Sequence, residues 1–201
     1  MQLNSNLKIT GFLKIHDPIT SEVFVDKSNA IHYENMSIAL AESLANVGQG
    51  FIYEMAFGNG GTSVDPIGVI TYLTPNTVGI SSSLYNETYA KVIDPRSITN
   101  KDIKRNKTEV RHAPGMKYTD ILVSCLLDYG EPADQEAFDI ATSQSQYQYV
   151  FDELGLRGYS STGTGKLLTH VIFHPVQKSL NRLIQIDYTI RIQSLTGYNE
   201  V

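Results

Sequence analysis

The sequence has no tryptophan, only one cysteine and no excess of basic charge. A lone thiol cannot close a disulfide within the chain, so synthesis and assembly in a reducing cytoplasm are expected. That residue, Cys125, lies in the apolar run Ile121-Leu122-Val123-Ser124-Cys125-Leu126-Leu127. There a thiol packs as a small hydrophobe and desolvation holds it inert, which is the preferred reading over a reactive nucleophile. Sixteen basic against 21 acidic residues leave a formal net charge of -5. A nucleic-acid binder usually shows the opposite balance, because its affinity comes from cations that displace counterions. No apolar run approaches the roughly 18 residues that cross a bilayer. The start, Met1-Gln2-Leu3-Asn4-Ser5-Asn6, is polar rather than basic then apolar, so neither a membrane span nor an export signal is expected.

What is present fits one globular unit. With 41% hydrophobic and 18% charged residues over 201 positions, the chain can bury a single core, and one domain over 1–201 is the expectation. Leu7 to Ile15 is rich in strand formers and meets Val23-Phe24-Val25 across the turn-forming stretch 17–22, which predicts a β-hairpin. Met36, Leu40 and Leu44 then recur every four residues, with Ala39, Ala41 and Ala45 between them and Gly48 beyond. This spacing predicts a helix from about Tyr33 to Asn46. Phe51 to Phe57 predicts a strand that Gly58-Asn59-Gly60-Gly61 turns sharply.

The stretch from Ser63 to Pro114 holds four of the seven prolines (Pro66, Pro75, Pro95 and Pro114) and the charged run 101–107. It is expected to be a long irregular arm that reaches towards neighbouring subunits. Strands are predicted at Tyr118 to Asp128, Tyr147 to Leu156 and Leu167 to Phe173, with an acidic connection at 130–136. The clearest pattern comes last. Ile184, Ile186, Tyr188, Ile190 and Ile192 alternate with Gln185, Asp187, Thr189, Arg191 and Gln193, a period of two that turns one face to a core and the other to water or a polar partner. These elements imply a mainly β chain with one α-helix (α+β), built as an antiparallel β-sandwich with the long mid-chain arm.

Motifs for chemistry are weak. Ser160 to Leu167 contains the Gly-Lys pair of a phosphate-binding loop, but Ser160 stands where that loop needs glycine and Leu167 where it needs a hydroxyl. The segment also leads into a predicted strand, so no helix N-terminus would face a phosphate. Of the five histidines, only His170 and His174 have a ligand-like spacing. On a strand that spacing separates them by about 13 Å at ~3.3 Å per residue, too far to share a metal. His32 and His112 are better read as capping or hydrogen-bonding groups. Asp152 and Glu153 are neighbours that a strand would send to opposite faces, which removes them as a facing acid and base. No Gly-x-Ser-x-Gly elbow occurs, and Cys125 has no adjacent base. No catalytic residue, cofactor or metal site is therefore assigned.

Twelve tyrosines and seven phenylalanines are the more informative residues. Tyr85, Tyr89, Tyr147 and Tyr149 sit in polar sequence, where an aromatic body with a hydroxyl tip suits an interface or sugar stacking, although partly buried core tyrosines would show the same pattern. With the charged run and the polar face of the last strand, the candidate interface residues are Tyr85, Tyr89, Lys104, Arg105, Lys107 and Arg191.

Several segments also carry a resemblance. Val25-Asp26-Lys27-Ser28-Asn29-Ala30-Ile31-His32-Tyr33-Glu34-Asn35-Met36-Ser37, Tyr53-Glu54-Met55-Ala56-Phe57-Gly58-Asn59-Gly60-Gly61-Thr62, Leu84-Tyr85-Asn86-Glu87-Thr88-Tyr89 and Val150-Phe151-Asp152-Glu153-Leu154-Gly155-Leu156 resemble a family of virion structural proteins of large, contractile-tailed bacteriophages. The last of these is also similar to a Phe-x-Glu-Ile-Gly-Leu phrase of some tail-fibre and baseplate domains. The resemblance implies a non-enzymatic particle component made in the bacterial cytoplasm. It would sit at the neck or collar, in the tail or in the baseplate, with other virion proteins and copies of itself as partners. A capsid decoration protein and a module that binds carbohydrate or a receptor on the host surface are the alternatives. An enzyme acting on cell-surface polymers would need facing carboxylates in a cleft.

Overall fold

The computed structural model describes residues 5–132 and 148–196. Within them the chain is mainly β with one helix, as the alternating and four-residue patterns predict. Ser5–His16 (β1) and Val23–Ile31 (β2) form the expected antiparallel hairpin, and Tyr33–Leu44 (α1) follows. The further strands are Ile52–Gly58 (β3), Thr62–Val64 (β4), Ile70–Tyr72 (β5), Glu87–Val92 (β6), Lys107–Arg111 (β7), Tyr118–Leu127 (β8), Gln148–Gly158 (β9), Thr169–Ser179 (β10) and Ile184–Thr196 (β11).

Nine of these strands make one sheet in the order β6-β3-β9-β10-β2-β1-β11-β8-β7, with every pairing antiparallel, and β4-β5 form a small separate ribbon. The sheet is held at its middle by little backbone pairing, since β10 meets β2 only through Thr169↔Ile31 and His170↔Ala30. It curls there into a layer of four strands and a layer of five, a sandwich-like arrangement with one apolar core. Leu13, Ile15, Met55, Phe57, Phe151, Phe173, Ile186 and Tyr188 are buried within that core. On β11, Ile184, Ile186, Tyr188 and Ile190 are fully buried while the intervening polar residues are not, as period two requires.

The helix starts where His32 accepts the amide of Asn35 on Nδ1 at 3.2 Å, so His32 is a cap. It ends at Leu44, two residues earlier than the periodicity predicts. Asn46 takes the left-handed conformation (φ 53°), and the amides of Asn46 and Val47 return to the carbonyls of Ser43 and Glu42. That geometry satisfies the last free carbonyls before Gly48 is reached.

The stretch 63–114 is irregular over most of its length, but it also supplies both outer strands of the large sheet, β6 and β7. It sinks Leu84 and Ile93 into apolar clusters. The last predicted strand before β11 begins later than expected, at Thr169, with Leu167 in an isolated bridge to Arg157, and runs further, to Ser179, because Val176 to Ser179 pair with β9. The Gly-Lys segment is a tight return from β9 to β10. The amide of Gly158 donates to the carbonyl of Lys166 at 3.0 Å, and a Cβ on Gly165 would lie 1.7 Å from the carbonyl oxygen of Gly158. Glycine is needed there for close backbone approach, not for a phosphate. Tyr147 and most of the acidic connection lie outside the described residues.

Candidate functional site

The densest polar constellation is buried. Two acids interrupt the apolar run of β9, and both are consumed by backbone amides. Glu153 accepts from the amides of Gly60 (3.1 Å) and Asn86 (2.8 Å) on Oε1, and from Tyr85 N (2.9 Å) and His170 Nε2 (3.0 Å) on Oε2. Asp152 accepts from Gly61 N (2.9 Å), Thr62 N (3.0 Å) and the Thr62 hydroxyl. His170 in turn accepts the amide of Asn76 on Nδ1 at 2.7 Å, which leaves its proton on Nε2 for Glu153. The imidazole thus bridges a carboxylate and a loop amide.

Burial pushes the Glu153 carboxyl up, but the bonds from His170, Asn86, Tyr85 and Gly60 outweigh it and hold the group below the ordinary glutamate range. Asp152 goes the other way. Its desolvation exceeds what Thr62 and Gly61 return, and its carboxyl is raised. Both acids are almost fully shielded, and each carboxylate oxygen of Glu153 is filled twice. This knot ties the loops around 60 and 85 to β9 and β10. The signal that could have exposed it is the pair of acids inside an apolar strand, since buried carboxylates demand partners.

A second polar cluster closes the curled sheet. Lys91 on β6 donates to the carbonyl of Leu126 on β8 at 2.7 Å and pairs with Glu131, while Asn106 accepts the Leu126 amide at 2.8 Å. Side chains therefore satisfy the backbone of β8 where β7 no longer runs beside it. Lys178, buried behind this seam, donates to the carbonyl of Ser179 at 2.8 Å. Burial pulls its ammonium down to about 8, against the attraction of Glu131 and Asp128. A depression of about 380 Å³ lies over the seam, lined by Tyr89, Lys91, Arg105, Asp128 and Glu131 among others. Its cations and anions already neutralise one another, as in Lys91–Glu131 and Arg105–Asp128.

The third feature is an apolar hollow of about 290 Å³ between α1 and the sheet, with Met36, Leu40, Phe51, Ile121, Ile190 and Ile192 in its walls. Arg96 stands at its edge, 4.4 Å over the Phe51 ring and bonded to Asp94 at 3.0 Å.

The six candidate interface residues come from β6, β7, β11 and the loops on either side of β6. Tyr89 and Arg105 share the seam depression, with Arg105 held by Asp102 and Asp128. Tyr89 packs on Phe57 at 5.7 Å, and burial raises its hydroxyl pKa. Lys104 is exposed beside Arg105, and Lys107 lies on β7 paired with Glu109. Tyr85 has its hydroxyl on the Thr74 carbonyl at 2.6 Å and its ring 5.7 Å from His170. Arg191 makes two 2.8 Å bonds to Asp120 and stacks over Tyr118 at 3.8 Å. Tyr149, counted with the interface aromatics from its polar neighbours, is a core residue whose hydroxyl meets Thr88 at 2.7 Å. Polar neighbours on a strand say little about the side chain between them, because successive residues face opposite sides.

Among the described residues, no group of three or more His, Cys, Asp or Glu side chains is placed to hold a metal ion, and His174 lies exposed beside Tyr72 while His170 is buried. Among the described residues no helix is long and apolar enough to cross a membrane. The architecture defines a mainly β, sandwich-like protein with one helix. The chain matches no known protein family, no curated protein and no solved structure.

Proposed function

We propose that this chain is a non-enzymatic structural subunit of a tailed-phage virion, at the neck or collar, in the tail or in the baseplate, and that it assembles through symmetric subunit interfaces. The resemblance of segments 25–37, 53–62, 84–89 and 150–156 to virion proteins supplies the setting. The observation that carries an assembly role is the sheet edge at β7. This strand pairs with β8 on one side, and among the described residues no strand pairs with the other. It bears Val110, 73% exposed. Unpaired backbone groups beside an apolar side chain are a template for another strand, and the charges of Lys107, Glu109 and Arg111 restrict the edge to a partner that matches them. In a virion component the same edge is a joint. The strongest polar cluster, around Glu153, supports this reading by serving as an internal fastener that presents no reactive group to solvent.

Antibody labelling of purified particles of the encoding phage, viewed by electron microscopy, tests the proposal. Gold at the neck, tail or baseplate is the expected result, and gold confined to the head would reassign the chain to capsid decoration. Absence of label from intact and gently opened particles would overturn the virion role.

A further inference from the structure

We infer that two copies of this chain join β7 to β7 as antiparallel neighbours across a two-fold axis at Val110, making one sheet continuous through both subunits. The inference rests on the assembly role proposed above and names the partner at that edge.

The first support is a row of side chains that stops short. Val110 lies opposite Ile121, Ile121 opposite Ile190, and Ile190 opposite Gly11. Directly opposed residues of antiparallel strands share one face of the sheet. Along this row exposure climbs from 1% at Ile190, through half-buried Ile121, to 73% at Val110. The core-facing row thus runs out into solvent at its last apolar member. A second Val110 placed directly opposite would continue it.

The second support is charge register. Lys107, Glu109 and Arg111 alternate with Thr108 and Val110, so the three charges share the other face. A two-fold at Glu109 would set Glu109 against its own copy and Lys107 against Arg111, both repulsive. A two-fold at Thr108 would pair Lys107 with Glu109, but it would set Arg111 against Arg105. A two-fold at Val110 sets Glu109 against Arg111 twice and Val110 against Val110. Opposite charges and apolar pairs placed directly across a sheet are favourable, and like charges are not. Within one subunit Glu109 bonds Lys107 and Arg111 of its own strand, so the partners it would exchange are already beside it. The other outer strand, β6, is less available, since Lys91 ties it across to β8. An isologous contact of this kind also closes, as a symmetric assembly requires.

The test is made on the purified chain. Val110→Cys should form an intersubunit disulfide under mild oxidation on the order of tenfold faster than Val64→Cys, an exposed control on the separate β4-β5 ribbon, because the axis raises the local concentration of the paired thiol. Cys125 is fully buried and stays silent. In the Val110→Cys background, Glu109→Arg alone and Arg111→Glu alone should each slow the crosslink, and the two together should restore it. Equal rates at 110 and 64, or a double exchange as slow as the single ones, would overturn the pairing. Should Val110→Cys fail to fold, sedimentation of the unaltered chain against Arg111→Glu reads the same contact. A concentration-dependent dimer weakened by the substitution is expected, and identical sedimentation would overturn the inference. Particles that carry antibody label although the chain does not crosslink at 110 would keep the virion role and discard only this joint.

Discussion

The ammonium of Lys91, on one outer strand of the sheet, donates to the carbonyl of Leu126, 35 residues away in the opposite layer, at 2.7 Å. This bond and the Lys91–Glu131 pair fasten the curl of the sheet where no backbone ladder does. Lys91→Met should therefore lower stability by about 2–3 kcal/mol, by leaving the Leu126 carbonyl and the Glu131 carboxylate without their shared ammonium. Urea unfolding measures it. A midpoint unchanged by the substitution would show that the seam is held by packing alone.

Glu153→Ala removes the acceptor of three backbone amides and one imidazole, all in a shielded site. A loss of about 3–5 kcal/mol is expected, with Glu153→Gln intermediate because an amide nitrogen would meet one of the donors. The carboxyl is held below its unfolded value, so its contribution is present above pH ~4.3 and disappears as pH falls through the folded value. Acid titration of unfolding should accordingly be flatter in Glu153→Gln. Equal acid limbs would argue against an ionised Glu153 as the fastener.

Lys178 has the opposite sign of effect. With its ammonium drawn down to about 8 by burial, the folded chain holds this proton less tightly than the unfolded chain, whose lysine titrates near 10.4. The cost of burying the charge is complete below the folded value and is relieved as pH rises towards ~10. Lys178→Met should be more stable than the parent at pH 7, by on the order of 2 kcal/mol, and should lose the rise between pH ~8 and ~10. Parallel pH profiles for the two proteins would refute this.

Gly165→Ala should cost about 2–3 kcal/mol, since the new methyl would fall on the Gly158 carbonyl and only backbone movement can make room. Thermal unfolding is the readout. Gly163→Ala in the same turn tests a different cause, because a Cβ there meets no atom and only its φ of 146° resists the change.

Cys125 should be unreactive towards thiol reagents in the folded chain and fully reactive once unfolded. Burial raises its thiol to about 12, with Lys91 pulling weakly the other way. Labelling at native conditions that keeps pace with the unfolded rate would mean that the core around β8 opens readily.

Local periodicity was enough to read the β1-β2 hairpin, the helix, β8 and above all β11, because alternation and four-residue spacing are properties of neighbours in the chain. The bland readings of Cys125 as a buried thiol and of His32 as a cap followed from the same local logic. Tertiary structure decided what depends on residues far apart. Only folding sets Glu153 beside amides some 67 to 93 positions away, turns Tyr149 inward, and makes the irregular stretch 63–114 the source of both sheet edges. Those outcomes come from which strands pair and how the sheet curls. Strand order is settled by summed packing and by the need to satisfy every buried polar group, and neither is written in any one segment.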